Sequence, residues 1–150
     1  MSTPTPPDPD DELGPIDFLA IEFPGAHLSA PGFDQLLSLA DQGVIRLLDL
    51  EFISKDSAGN ARKVDVDDLA NSGADLSVWD GASSGLLDRA DISEIAAAIQ
   101  PGSVAAVIVY ENRWVLSLVN TWRRDGARFI ADGGISADEI VAALDAADSA

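Results

Sequence analysis

PGSVAAVIVYENRWVLSLVNTWRRDGARF, residues 101–129, joins the most apolar run of the chain directly to its most amphipathic one. Residues 104–110 carry no charge and are rich in Val and Ile, the composition of a strand covered on both faces. Residues 112–124 then place Trp114, Val115, Leu118, Val119 and Trp122 at helical spacing, so that one stripe can lie back on the strand. Arg123 and Arg124 suit the negative end of the helix dipole, and Gly126 can adopt the left-handed stop. With residues 128–131 as a short last strand, the stretch predicts a strand, helix, strand unit.

The chain before it repeats that pattern without repeating its sequence. Residues 16–23 read as a first strand with Leu19, Ile21 and Phe23 on one face and Phe18 and Ala20 on the other, which predicts a central position. Residues 33–42 form a helix with the stripe Phe33, Leu36, Leu37 and Ala40, stopped at Gly43. In the strand at 44–53, Leu48, Leu50 and Phe52 point one way, and Asp49 and Glu51 point the other beside Leu47 and Ile53. The turn at 56–60 leads to a charged edge strand at 62–67, where Arg62, Lys63, Asp65 and Asp67 discourage pairing with other chains. Residues 69–90 are an irregular excursion pinned by Trp79, Leu86 and Leu87. Helices follow at 91–100, opened by Asp91 and Glu94, and at 137–147, opened by Ser136 and Glu139.

Two such halves predict an α+β fold, a ferredoxin-like sandwich with an extra edge hairpin strand and extra helices. The expected sheet order is last strand, first strand, 104 strand, 44 strand, hairpin strand. The helices at 33–42 and 112–124 would cover one face. The 92 helix, the 140 helix or a second subunit would cover the other. Residues 1–14, rich in Pro and Asp, read as a disordered tail, and 15–150 as a single domain.

Composition excludes several functions. Nine basic against 26 acidic residues give a net charge of -17, which repels nucleic acid and anionic lipid and favours basic partners or cations. Without cysteine there is no disulfide, thiolate nucleophile or thiolate metal site. No apolar run reaches membrane-spanning length and no secretory signal is visible, so the expected location is cytoplasmic, with membrane association unlikely on this reading.

Four carboxylates are the candidates for metal chemistry. Asp49 and Glu51 share a strand face, and Glu22 and Glu111 sit at strand ends; converging, they could hold a hard cation through oxygen. The alternative is a solvated face, or one paired with Arg46, Arg113 or Arg128. His27 is the one histidine, and no nucleophile, base and orienter can be assembled around it, so no catalytic residue and no cofactor motif is assigned. Phe18, Trp79 and Tyr110 are the candidate interaction residues.

GPIDFLAIEFPG, IRLLDLEFISKDSAGN, IQPGSVAAVIVYENRW and GARFIADGGISADEI resemble a family of small bacterial proteins of unknown function, itself similar to stress-associated or predicted membrane proteins of the same α+β pattern. The resemblance implies a fold and no residue roles. Two expectations follow. One is a non-enzymatic acidic interaction or stress-response module acting through its sheet face as a homodimer. The alternative is a small-molecule binder or cofactor-free enzyme with a pocket between the sheet and the 69–90 excursion.

Overall fold

The architecture comes from a computed structural model that describes residues 13–133 and 137–148. In chain order the elements are β1 Ile16–Phe23, α1 Ala30–Asp41, β2 Ile45–Lys55, β3 Ala61–Val64, α2 Arg89–Ala98, β4 Val104–Asn112, α3 Arg113–Arg123 and α4 Ala137–Asp148. The fold is α+β. The sheet is antiparallel throughout, in the order β1-β4-β2-β3. The expected tail at 1–14 falls almost wholly outside the described residues, as does the Ser136 cap of the last helix.

β4 is the inner strand its composition predicts, with Val104 to Val107 all buried. β3, short and charged, is an edge as expected. β1 is the correction: among the described residues it pairs only with β4 and so lies at the rim, because residues 128–131 form no strand beside it. Apolar residues on both faces of β1 mark a strand that needs cover on both sides, and within the described chain that cover is incomplete.

The two faces of the sheet are packed separately. On one face Phe33 of α1 stacks between Phe23 and Phe52, with ring centroids 5.9 and 6.0 Å away, over Leu50, Val104 and Ala106. The excursion completes this layer with Leu69, Leu76 and Trp79. On the opposite face Ile92, Ile95 and Ile99 pack on Ile53, Ala105 and Val107. Each fully buried aliphatic or aromatic side chain here contributes roughly 1.5–3 kcal/mol. Of the three covers considered for the second face, it is the Ile92 helix that supplies it.

The excursion carries the chain from one face to the other past the end of short β3. There the Leu50 N–H donates to Ala82 O at 3.2 Å, and the Ser84 hydroxyl donates to Leu48 O at 2.7 Å, so the strap continues the pairing of β2. A β-bulge between Leu47 and Asp49 resets the alternation, and Leu47 joins the α1 face instead of the Asp49 face. The start of α2 also differs from expectation. Asp88 is the N-cap, accepting from the Asp91 N–H at 2.8 Å while its own N–H donates to Asp91. Lys55 closes the other end, donating to Ala96 O and Ile99 O at 2.8 and 3.0 Å. In α3 Leu116 is buried and Val115 and Val119 are half-buried, whereas Trp114, Leu118 and Trp122 stay exposed, so the expected stripe is only partly covered.

Candidate association edge and buried carboxylates

Asp49, Glu51 and Glu111 all project from the α2 face of the sheet. The register sets Glu111 opposite Arg46, Asp49 opposite Val109 and Glu51 opposite Val107. Of the two alternatives to a cation site, a solvated face or one paired with arginine, the solvated one is overturned: Asp49 is 0 %, Glu51 2 % and Glu111 0 % exposed. Apolar neighbours on both sides in β2 dictate this, because Leu50, Phe52 and Ile53 cannot be buried without taking the acids with them. Buried carboxylates need partners.

Glu111 has charged ones. The Gly14 N–H donates to its Oε2 at 2.6 Å, and Arg46 and Arg113 lie 3.0 and 3.6 Å from Oε1. Two of the three arginines anticipated as partners, Arg46 and Arg113, are therefore present, although among the described residues Oε1 has no well-aligned hydrogen bond. A Cβ on Gly14 would come within 2.5 Å of Asn112 O, so the close approach that brings its amide to Glu111 requires glycine.

Asp49 and Glu51 are roofed by the strap. The Ser84 N–H donates to Asp49 Oδ1 at 2.6 Å, the Ser83 hydroxyl donates to Glu51 Oε1 at 2.9 Å, and the Lys63 ammonium donates to the same Oε1. Asp49 Oδ2 and Glu51 Oε2 are buried with no donor among the described residues. Burial pushes the Asp49 carboxyl above its usual range, and the neighbouring Glu51 adds to the effect against the Ser84 amide. For Glu51 burial is the largest single influence and acts upward, but Lys63, Ser83 and Asp49 together outweigh it and lower the pKa. Asp49 and Glu51 interact through their side chains, and a proton held between the two carboxyls would give the orphaned oxygens a donor. The Ser83-Ser84 pair has no local sequence signal, and its role is visible only in three dimensions.

Glu22 stands apart. It lies opposite Ala105, toward the far end of the sheet from Glu111, and accepts the Gln100 N–H at 2.7 Å. Among the described residues no group of three or more His, Cys, Asp or Glu side chains is placed to hold a metal ion. His27 is exposed against the Gly73 turn, where a Cβ at Gly73 would fall 2.7 Å from its ring. Beside the acid pair, a cleft of about 290 Å³ between β2, β3 and the excursion is lined by Glu51, Lys63, Asp65, Trp79, Asp80 and Ser83.

The interaction candidates separate. Trp79 is buried in the α1-face core, where it plugs the layer and offers no exposed indole, and Tyr110 is half-buried. Phe18 is 68 % exposed on β1, where Ile16, Leu19 and Ile21 are exposed as well. Since helices cover the inner strands, a groove opens beside β1 on each face. The α2-side groove, about 510 Å³, runs from Phe18 to Ile95 and Val107, with Asp91 and Glu94 among its lining. The α1-side groove, about 220 Å³, is bounded by Ile21, Phe23, Phe33, Leu36 and Ile108. Edge strands are ordinarily blunted by charge, shortness or cover. β1 spans eight residues and carries only Asp17 and Glu22 as charges.

Among the described residues no helix is long and apolar enough to cross a membrane. No curated protein and no solved structure matches the chain. A family model does, over residues 12–149, and its description is a family of unknown function, DUF6325.

Proposed function

We propose that this chain, which belongs to the DUF6325 family, works as a non-enzymatic interaction module that self-associates through the rim of its sheet. The observation that carries the reading is β1: an edge strand of eight residues, apolar on both faces, flanked by a groove on each side. Leaving such an edge in water forfeits roughly 25 cal/mol for every Å² of apolar surface that a partner could cover. A homodimer covers it symmetrically. The net charge of -17 disfavours nucleic acid as the alternative occupant. The absence of cysteine suits a cytoplasmic setting. A stress-response role, implied by resemblance, belongs to the same proposal.

Light scattering coupled to gel filtration tests it. The expected mass is twice the 15.7 kDa of the chain at micromolar concentration. Leu19→Lys and Phe18→Lys, both at exposed positions, should return the chain to monomer with its circular dichroism unchanged. A strict monomer for the unmodified chain would refute the reading.

The cleft beside Glu51 and Lys63 supports a second reading as a small-molecule site between sheet and excursion. A thermal-shift screen addresses it, since a ligand at a hundred times its Kd adds about 2.7 kcal/mol. No shift with any metabolite class would leave the association reading alone.

A further inference from the structure

Resting on that self-association, we propose that the occupant of the β1 edge is residues 127–131 of a second copy, exchanged reciprocally so that each chain's arm becomes a fifth strand of its partner's sheet. The first observation is how α3 ends. The Gly126 N–H donates to Arg123 O at 3.0 Å and the Ala127 N–H to Trp122 O at 3.2 Å, with Gly126 at φ +93°. This is a Schellman stop, which sets the direction in which the chain leaves the helix. Beyond it, residues 127–133 are extended or irregular, exposed, and paired with no strand of their own sheet. Ile130 is 87 % exposed, and Phe129 is exposed as well.

The arm also has the composition the edge demands. A strand laid against β1 must offer apolar groups to both grooves at once. Ala127-Arg128-Phe129-Ile130-Ala131 does so, with Phe129 and Ala131 on one face and Arg128 and Ile130 on the other. Charge orients it. Asp91 and Glu94 line the α2-side groove, so Arg128 and Ile130 face that side, while Phe129 enters the α1-side groove beside Phe23 and Phe33. Residues 127–131 carry one charge, the cation Arg128. In so acidic a molecule this segment is the natural counterpart of the groove beside α2. α4 follows the arm with Ile140, Val141 and Leu144 exposed, and travels with it onto the partner.

A second copy fits better than the chain's own return. Open edge and open arm are both present in one protomer and unsatisfied by each other, and reciprocal exchange closes both pairs under one twofold axis.

The absence of cysteine provides the experiment. Two full-length chains, one Leu19→Cys and one Phe129→Cys, are refolded together and oxidised; a second mixture pairs Phe18→Cys with Ile130→Cys. The expected product is a disulfide-linked heterodimer in at least one mixture. Ile130→Asp should weaken the dimer by at least about tenfold, roughly 1.4 kcal/mol, with secondary structure intact. A dimer that persists undiminished in Ile130→Asp overturns the arm and leaves self-association standing. A chain carrying both Leu19→Cys and Phe129→Cys that closes only on itself, as a monomer, overturns the exchange in favour of intrachain return. An unmodified chain that is monomeric overturns both proposals.

Discussion

Asp49→Asn is the most informative substitution at the buried pair, because the structure predicts that replacing a fully buried acid costs little. Asn keeps an oxygen for the Ser84 N–H, which Asp49 Oδ1 accepts at 2.6 Å. Its amide nitrogen then stands where Oδ2 has no donor, and can donate to Glu51 Oε2, which also has none. A buried acceptor without a partner costs about 1–3 kcal/mol. The variant should therefore lie within about 1 kcal/mol of the wild type at neutral pH, or above it. The pH dependence has a definite sign. Asp49, with its pKa raised above the usual 3.8, contributes stability that is complete below that value and lost as pH rises through its folded pKa. Glu51, with its pKa lowered from 4.5, contributes stability that is complete above that value and lost as pH falls through its folded pKa. The wild type is thus most stable between the two losses, and Asp49→Asn abolishes the one met as pH rises. Each tenfold displacement of proton affinity is worth about 1.4 kcal/mol. Urea unfolding at a series of pH values, with m held common, measures it. A loss above about 3 kcal/mol at neutral pH, or parallel pH profiles for the two proteins, would refute the shared proton.

Three further substitutions test other parts of the framework. Glu111→Ala leaves two guanidiniums and the Gly14 amide without their acceptor and, since the arginines left behind are 50 % and 27 % exposed and can hydrate, should cost about 1–3 kcal/mol by denaturant unfolding, with Glu111→Gln recovering part of it. Gly73→Ala meets both a φ of +105° and the His27 ring at 2.7 Å, so a loss of about 1–3 kcal/mol is expected, and adding His27→Ala should return only the steric share. Lys55→Met removes the donor from Ala96 O and Ile99 O and should lower Tm by a few degrees, about 1 kcal/mol, with hydrogen exchange rising first at the end of α2.

Legibility varied with how local the cause was. β4 is inner and β3 is an edge because their compositions permit nothing else, and the neighbour order from β1 through β3 follows the expected sequence of strands. The position of β1 did not follow. A strand apolar on both faces looks the same to a sequence reader whether its own chain or another chain supplies the cover. Leu47 changed faces because a bulge, which has no signature in IRLLDLEF, shifts the alternation by one residue. The candidate carboxylates were identifiable as charges inside an apolar strand. Their partners were not: Ser83, Ser84 and Gly14 reach them across separations of 32, 35 and 97 residues.

What the amino-acid order determined by itself is therefore the set of elements, their apolar faces and the acidic surface, since helix and strand periods, glycine stops and charge counts act over a few residues. Which face each helix took, which acids were buried together and which edge was left open were decided only by tertiary structure. Those outcomes depend on how much surface the packed layers can cover, and that area exists only once distant segments have met.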